Sequence, residues 1–203
     1  DEAGTAITTG DNNTAVGYNT GAAVTTGTRN TFMGSNAGDA VTEGIQNVAI
    51  GREALGADTK GSNTVAIGNG ALRAQNFTSA TDVYNTAVGD QAGTAVTTGT
   101  NNTLIGGLAG DALTDADFNV AIGSSALSSD TLGSKSIAIG RFALNTQNFT
   151  SATDTYNTAI GHGAGSSVTT GVRNTLIGGL SGSAMTTGDR NVAVGATSLD
   201  ACT

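Results

Sequence analysis

One short pattern of apolar and polar positions runs through the chain from end to end. A mostly β-branched residue, a mostly small one and a long apolar one stand in a row, and a glycine follows, as in Thr14-Ala15-Val16-Gly17, Thr31-Phe32-Met33-Gly34 and Val48-Ala49-Ile50-Gly51. The long apolar position holds Val16, Met33, Ile50, Ile67, Val88, Ile105, Ile122, Ile139, Ile160, Ile177 and Val194. Two places earlier stand Thr14, Thr31, Val48, Val65, Thr86, Thr103, Val120, Ile137, Thr158, Thr175 and Val192. Alternation with period two and β-branched enrichment predict a short strand in each unit. The apolar member of the pair is expected on its buried face, where a charge would be costly. Glycine ends the strand because a corner needs φ values that other residues resist.

The closing glycines are Gly17, Gly34, Gly51, Gly68, Gly89, Gly106, Gly123, Gly140, Gly161, Gly178 and Gly195. They fall 17 residues apart, except that every fourth interval is 21, so a higher period of 72 residues joins Gly17, Gly89 and Gly161. Self-similarity at a fixed period is the signature of a repeat architecture. Coils of 17 residues with short strands and glycine corners predict an all-β fold, a parallel β-solenoid or β-roll of about eleven coils with a four-residue insertion every fourth coil. Stacked at strand spacing, they make a rod on the order of 50 Å long. The insertions, Asn76 to Asp82 and Asn148 to Asp154, are expected to bulge from one face. No linker interrupts the pattern, so residues 1–203 read as a single repeat domain. It begins and ends within a repeat, which points to part of a longer fibre.

Two kinds of coil alternate in pairs. Four residues after the closing glycine stand Gly21, Gly38, Leu55 and Leu72, and seven after it Val24, Val41, Asp58 and Gln75; the next period repeats this with Gly93, Gly110, Leu127 and Leu144 against Val96, Leu113, Asp130 and Gln147. Where one position gains leucine the other loses its apolar residue. Each coil carries few large apolar side chains, a thin core for one chain. Several chains are therefore expected to pack side by side, with a homotrimer as the expected form.

Composition narrows the class. The chain has 31 Gly, no Pro, no Trp, one Cys, one His and 12% charged residues, with a net charge of −8. One Cys rules out a disulfide scaffold. The acidic balance disfavours nucleic acid as a partner. No apolar run reaches the length of a membrane helix, so membrane insertion is not expected. No signal peptide is present, which fits its removal or an excised fragment. Glycine and threonine are poor helix formers, so a helical bundle is disfavoured.

One asparagine recurs before each strand: Asn13, Asn30, Asn47, Asn85, Asn102, Asn119, Asn157, Asn174 and Asn191, with Thr64 and Ser136 in its place in every fourth unit. Such a row is either a ligand-binding line or a stack of amides capping turn carbonyls.

The Asn-[Thr/Val]-Ala-[Ile/Val]-Gly word, followed by a turn of small residues, resembles the head repeats of YadA-like trimeric autotransporter adhesins, which form a left-handed parallel β-roll. Units such as Asn30-Thr-Phe-Met-Gly-Ser-Asn-Ala-Gly38 and Val96-Thr-Thr-Gly-Thr-Asn-Asn-Thr-Leu-Ile-Gly106 are more similar still to repeats of phage tail-fibre and related surface-fibre proteins. The unit here is longer than that of the adhesin heads. The resemblance implies a homotrimeric fibre, extracellular or borne on a virion or cell surface. Such a fibre presents a binding end to a host or surface glycan and joins other fibre or virion proteins.

Signs of enzyme chemistry are sparse. His162 occupies a register that elsewhere holds Tyr18, Arg52, Asp90 and Gly179, so it reads as a surface residue. One His and one Cys give little support to a nucleophilic triad. The glycine-rich words lack the Gly-Lys-Ser/Thr of a phosphate loop. Asp115-Ala-Asp117 alone is weak support for a cation site. Neither an enzyme, a cofactor nor a metal is therefore expected. Asn12, Asn76, Asn101 and Asn148 match the N-glycosylation pattern, which an Asn- and Thr-rich chain also meets by chance. Cys202 shares the register of Asp58 and Asp130, expected to be polar and exposed. It is either a free thiol or an intermolecular disulfide to another fibre chain.

The function expected is a structural and adhesive fibre module that gives a rigid rod. The alternatives are an ice-binding β-solenoid, offering rows of threonine, and the head of a bacterial trimeric autotransporter adhesin. A polysaccharide lyase or hydrolase on a parallel β-helix would need a cluster of charge that the eight Lys and Arg, spread along the chain, do not supply.

Overall fold

Three-residue strands recur once per coil. They are β1 (Thr14–Val16), β2 (Thr31–Met33), β3 (Val48–Ile50), β5 (Val65–Ile67), β7 (Thr86–Val88), β8 (Thr103–Ile105), β9 (Val120–Ile122), β11 (Ile137–Ile139), β13 (Thr158–Ile160), β14 (Thr175–Ile177) and β15 (Val192–Val194). Four two-residue strands lie between them: β4 (Gly61–Ser62), β6 (Thr81–Asp82), β10 (Gly133–Ser134) and β12 (Thr153–Asp154). The computed structural model describes residues 2–200, in which the chain is an all-β parallel solenoid of about eleven coils, with no helix among the described residues. Cys202 lies outside them.

The eleven longer strands form one parallel sheet in chain order, each paired with its counterpart in the next coil. Thr14 pairs with Thr31, Val48 with Val65, and Val65 with Thr86 across the longer interval. Two small parallel sheets, β4 with β6 and β10 with β12, form where that interval falls. There Phe77 and Phe149 tuck their rings against the rod, while Thr78, Ser79 and Ala80 face solvent.

The strands face the opposite way from the sequence expectation. The middle residue points inward: Ala15 is half-buried, and Phe32, Ala49, Ala66, Ala87, Leu104, Ala121, Ala138, Ala159, Leu176 and Ala193 belong to the core. The apolar pair around it points outward, with Val16 52% and Val194 67% exposed at the two ends. Ile122 is half-exposed rather than buried. The cause lies one residue upstream of each strand. The recurring asparagine turns its amide inward to reach a carbonyl of the next coil, and alternation then sends the next residue out and the middle one in.

The interior is filled in a reciprocal way. In coils with Leu55, Leu72, Leu127 or Leu144 the middle strand residue is alanine; Phe32, Leu104 and Leu176 stand beside glycines instead. A Cβ on Gly38 would lie 2.7 Å from the Phe32 ring. The four leucines reach the core from left-handed backbone, at φ between 48° and 54°. That conformation is uncommon for a bulky residue, so packing sustains it.

Candidate functional site

The asparagines form an internal ladder. From Asn13 to Asn174 each amide donates to a carbonyl of the next coil, and its oxygen accepts the backbone N–H at the same register of that coil, which belongs to Thr64 after Asn47 and to Ser136 after Asn119; Asn191 donates instead to Asn174 Oδ1. Asn30 Nδ2 donates to Gly44 O at 2.8 Å, and Asn47 N donates to Asn30 Oδ1 at 2.9 Å. Asn102 and Asn119 repeat this with Ala116 O and Gly133 O. Asn30, Asn47, Asn85, Asn102, Asn119, Asn157 and Asn174 are buried, so they present no line to a ligand. They satisfy turn carbonyls that would otherwise be buried without partners.

At Thr64 and Ser136 the ladder changes hands. Gln75 Nε2 donates to Asp58 Oδ2 at 2.6 Å and to Thr64 Oγ1 at 3.1 Å, while its Oε1 accepts from Asn85 Nδ2 at 2.9 Å. Asp58 Oδ1 accepts from the N–H groups of Gly61 and Phe77. Asp130 and Gln147 build the same network with Ser136, Asn157, Gly133 and Phe149. Asp58 and Asp130 are fully buried, which corrects the expectation that their register is exposed. Three donors and one hydroxyl acceptor surround each carboxylate-and-amide pair, a satisfaction that single-residue patterns do not reveal.

The closing glycines turn the sheet's far corner at φ between 121° and 143°. They also let neighbouring coils touch: a Cβ on Gly106 would meet the Gly123 carbonyl carbon at 2.7 Å.

The outer surface offers three features. The first is the outward face of the main sheet, two parallel rows of Val, Ile, Met and Thr along all eleven strands. It is roughly 48 Å long and 10 Å wide, on the order of 500 Å². Six threonines interrupt its first row, and its size is that of the largest patch a monomer ordinarily exposes, one that often marks a contact site. The second is an open polar recess lined by Arg52, Glu53, Asn69, Arg73, Gln91 and Thr94, where Arg73 Nη1 lies 3.7 Å from Glu53 Oε2 and Arg52 also pairs with Glu53. The third is the corner leading into the sheet, where Tyr84, Phe118 and Tyr156 are exposed. Sequence reasoning missed this corner; its signal is an aromatic directly before the recurring asparagine at Asn85, Asn119 and Asn157.

His162 is exposed, and its ring meets Phe142 edge-on at 6.4 Å. Asp115 Oδ1 accepts from Thr98 Oγ1 at 2.6 Å and Asp117 Oδ1 from Thr100 N at 2.6 Å, so each carboxylate serves its neighbouring coil. Among the described residues no group of three or more His, Cys, Asp or Glu could hold a metal ion. None of the described helices is long and apolar enough to cross a membrane, since the described residues contain no helix. Burial raises the carboxyls of Asp39 and Asp111 above the ordinary carboxylate range.

Comparison with protein-family models, curated proteins and solved structures finds no match.

Proposed function

We propose that this chain is a structural and adhesive fibre module of a virion or cell surface, working as a homotrimer whose protomers pack through the outward face of the main sheet. The observation that carries this reading is the inverted strand orientation. A rod whose strands turn alanine, leucine or phenylalanine inward and valine, isoleucine and methionine outward leaves a row of β-branched and apolar side chains only partly covered in one chain. Covering them is the main source of stabilisation open to it, at roughly 25 cal/mol per Å² of apolar surface removed from water. A closed ring of copies, each offering the same face, buries it without leaving an edge for open polymerisation. Within the insertions Thr78 to Ala80 and Thr150 to Ala152 are exposed. The stacked asparagines and the all-parallel ladder supply the stiffness of a fibre.

Sedimentation equilibrium of the purified chain at micromolar concentration tests the assembly. A mass three times that of the 19.8 kDa chain is expected; a stable monomer overturns it. The same flat face supports a second reading, an ice-binding solenoid, because its first row carries Thr14, Thr31, Thr86, Thr103, Thr158 and Thr175 at coil spacing. Pairs of Val or Ile interrupt that row, which favours protein contact over ordered water. Thermal hysteresis separates the two: activity in a monomeric chain selects the second.

A further inference from the structure

Tyr84, Asn101, Phe118, Lys135 and Tyr156 stand in single file on the corner that leads into the main sheet, one per coil. Backbone hydrogen bonds hold this corner in register coil by coil. Asn101 N donates to Val83 O at 2.9 Å, Phe118 N to Thr100 O at 3.1 Å, Lys135 N to Asp117 O at 3.0 Å, and Thr155 N to Ser134 O at 2.9 Å. The three rings therefore recur every second coil, roughly 9.5 Å apart. They are 56%, 54% and 49% exposed. All three sit at left-handed φ, 54°, 58° and 51°. Asparagine suits that conformation and bulky residues do not, so aromatic side chains are held in water here against the local backbone preference. The conformation is shared along the corner by Arg29, Gln46, Lys135, Arg173 and Arg190, so what points to binding is the exposure of three aromatic rings at regular spacing rather than the backbone itself.

The groups between and beside the rings are polar. Lys135 Nζ lies 5.3 Å over one face of the Tyr156 ring and donates to Asp154 Oδ2 at 2.5 Å, and Tyr156 Oη donates to the same oxygen at 3.3 Å. The arrangement asks for a long ligand that shows an apolar face at each ring and polar groups between. An extended peptide repeats its faces every two residues, about 6.7 Å, and falls out of step. A nucleic acid is repelled by a net charge of −8. A polyproline helix repeats about every 9.3 Å, but it docks in grooves walled by pairs of aromatics, and these rings stand in one file on a corner. In an extended β-linked glycan alternate sugars are turned by about half a turn, so the same C–H face returns every second pyranose, a span that matches two coils. The electron-rich face of an aromatic ring attracts such C–H groups.

We propose that this corner binds an extended, β-linked glycan chain running along the rod axis, with Tyr84, Phe118 and Tyr156 each stacking on every second sugar. Asn101, Lys135 and Asp154 hydrogen-bond the hydroxyls between. The site names a ligand class for the adhesive part of the function proposed above and rests on that part, not on the trimer.

The test is calorimetric titration of the full chain with pentasaccharides of β-linked N-acetylglucosamine, glucose and mannose. The controls are the α-linked glucose pentasaccharide and a decaproline peptide. A pentasaccharide spans all three rings. At least one β-linked chain is expected to bind, and its trisaccharide, which reaches two rings, about tenfold more weakly. Phe118→Asn is expected to weaken pentasaccharide binding about tenfold and to leave the melting temperature unchanged or higher, because asparagine fits the backbone there. Tyr18→Asn, on another row, leaves binding unchanged. The site is overturned by no binding of any of the three β-linked chains, by binding that survives Tyr84→Asn, Phe118→Asn and Tyr156→Asn together, or by equal binding of the α-linked chain or decaproline. Sedimentation on the same samples keeps the two ideas apart. Trimer mass without glycan binding sinks only this site, and monomer mass with glycan binding sinks only the assembly.

Discussion

Asp58 accepts a hydrogen bond from the Gln75 amide at 2.6 Å, and both side chains are fully buried. Thr64 replaces the ladder asparagine in this coil, and the pair carries the polar connection from Asn47 on one side to Asn85 on the other. Every oxygen and amide hydrogen in reach has a partner, which is the condition for a buried polar network to add stability.

Asp58→Ala leaves the N–H groups of Gly61 and Phe77 and one Gln75 amide hydrogen without acceptors. Buried unsatisfied donors cost about 1–3 kcal/mol each, so a loss of about 3 kcal/mol or more is expected in denaturant unfolding. Asp58→Asn should fall between, because its Oδ1 still accepts while its new amide faces that of Gln75. Amide hydrogen exchange at Gly61 and Phe77 locates the effect; unchanged protection there would show that the network is not what holds this coil.

Neighbouring residues on one strand separate folding from assembly. Ala121 is fully buried and Ile122 faces outward. Ala121→Asp places an unpaired charge in the core, at a cost of several kcal/mol, and is expected to abolish the β-sheet circular dichroism signal. Ile122→Asp is expected to keep that signal and to reduce the sedimenting mass to one chain, by charging the proposed contact face in every protomer. Equal loss of folded signal in the two variants would return the apolar row to the interior.

Much of the architecture is legible because it is periodic. The glycine spacing marks the coils, and Thr31, Phe32 and Met33 mark a strand. Strand parity is not legible from the strand alone, because Val-Ala-Ile reads equally well in either orientation and large apolar residues are ordinarily assigned inward. The parity is set by Asn47, Asn119 and their equivalents, whose amides must cap carbonyls inside the coil. Choosing between a ligand row and capping amides would have decided it. Asp58 misleads for the same reason: a lone carboxylate suggests solvent until Gln75, Gly61 and Phe77 are seen to converge on it. The aromatic corner stays hidden because Tyr84, Phe118 and Tyr156 share no local word except the asparagine that follows them.

The closing corner predicts a contrast between glycines. Gly106→Ala forces a side chain onto φ 130° and against the Gly123 carbonyl group. A loss of about 3 kcal/mol is expected from the backbone conformation, with more from the clash. Gly179 has open space around it and no left-handed φ. Gly179→Ala should raise stability by about 0.5 kcal/mol, by restricting the unfolded chain. Chemical denaturation of both variants checks the pair, and a Gly106→Ala variant as stable as the parent would remove the steric account of the repeat.

Asp111 supplies a pH test. Its Oδ1 is buried with no hydrogen-bond partner, and burial raises its carboxyl above the usual 3.8. A carboxyl whose folded-state pKa is raised favours the protonated form in the fold. Its cost to stability is therefore absent below the unfolded-state value, where both states are neutral. It grows as pH rises through the folded-state value and is fully present at neutral pH. Asp111→Asn removes the charge while keeping the shape. It is expected to raise the melting temperature at pH 7, with the gain shrinking as pH falls and vanishing below the ordinary carboxylate range. Ser183 stands at the same register one 72-residue period later and carries no charge, so Ser183→Asp should introduce the same pH-dependent penalty. Melting curves from pH 3 to pH 8 for the three proteins decide it. A gain for Asp111→Asn that is the same at every pH would mean that the carboxylate's desolvation is not its cause.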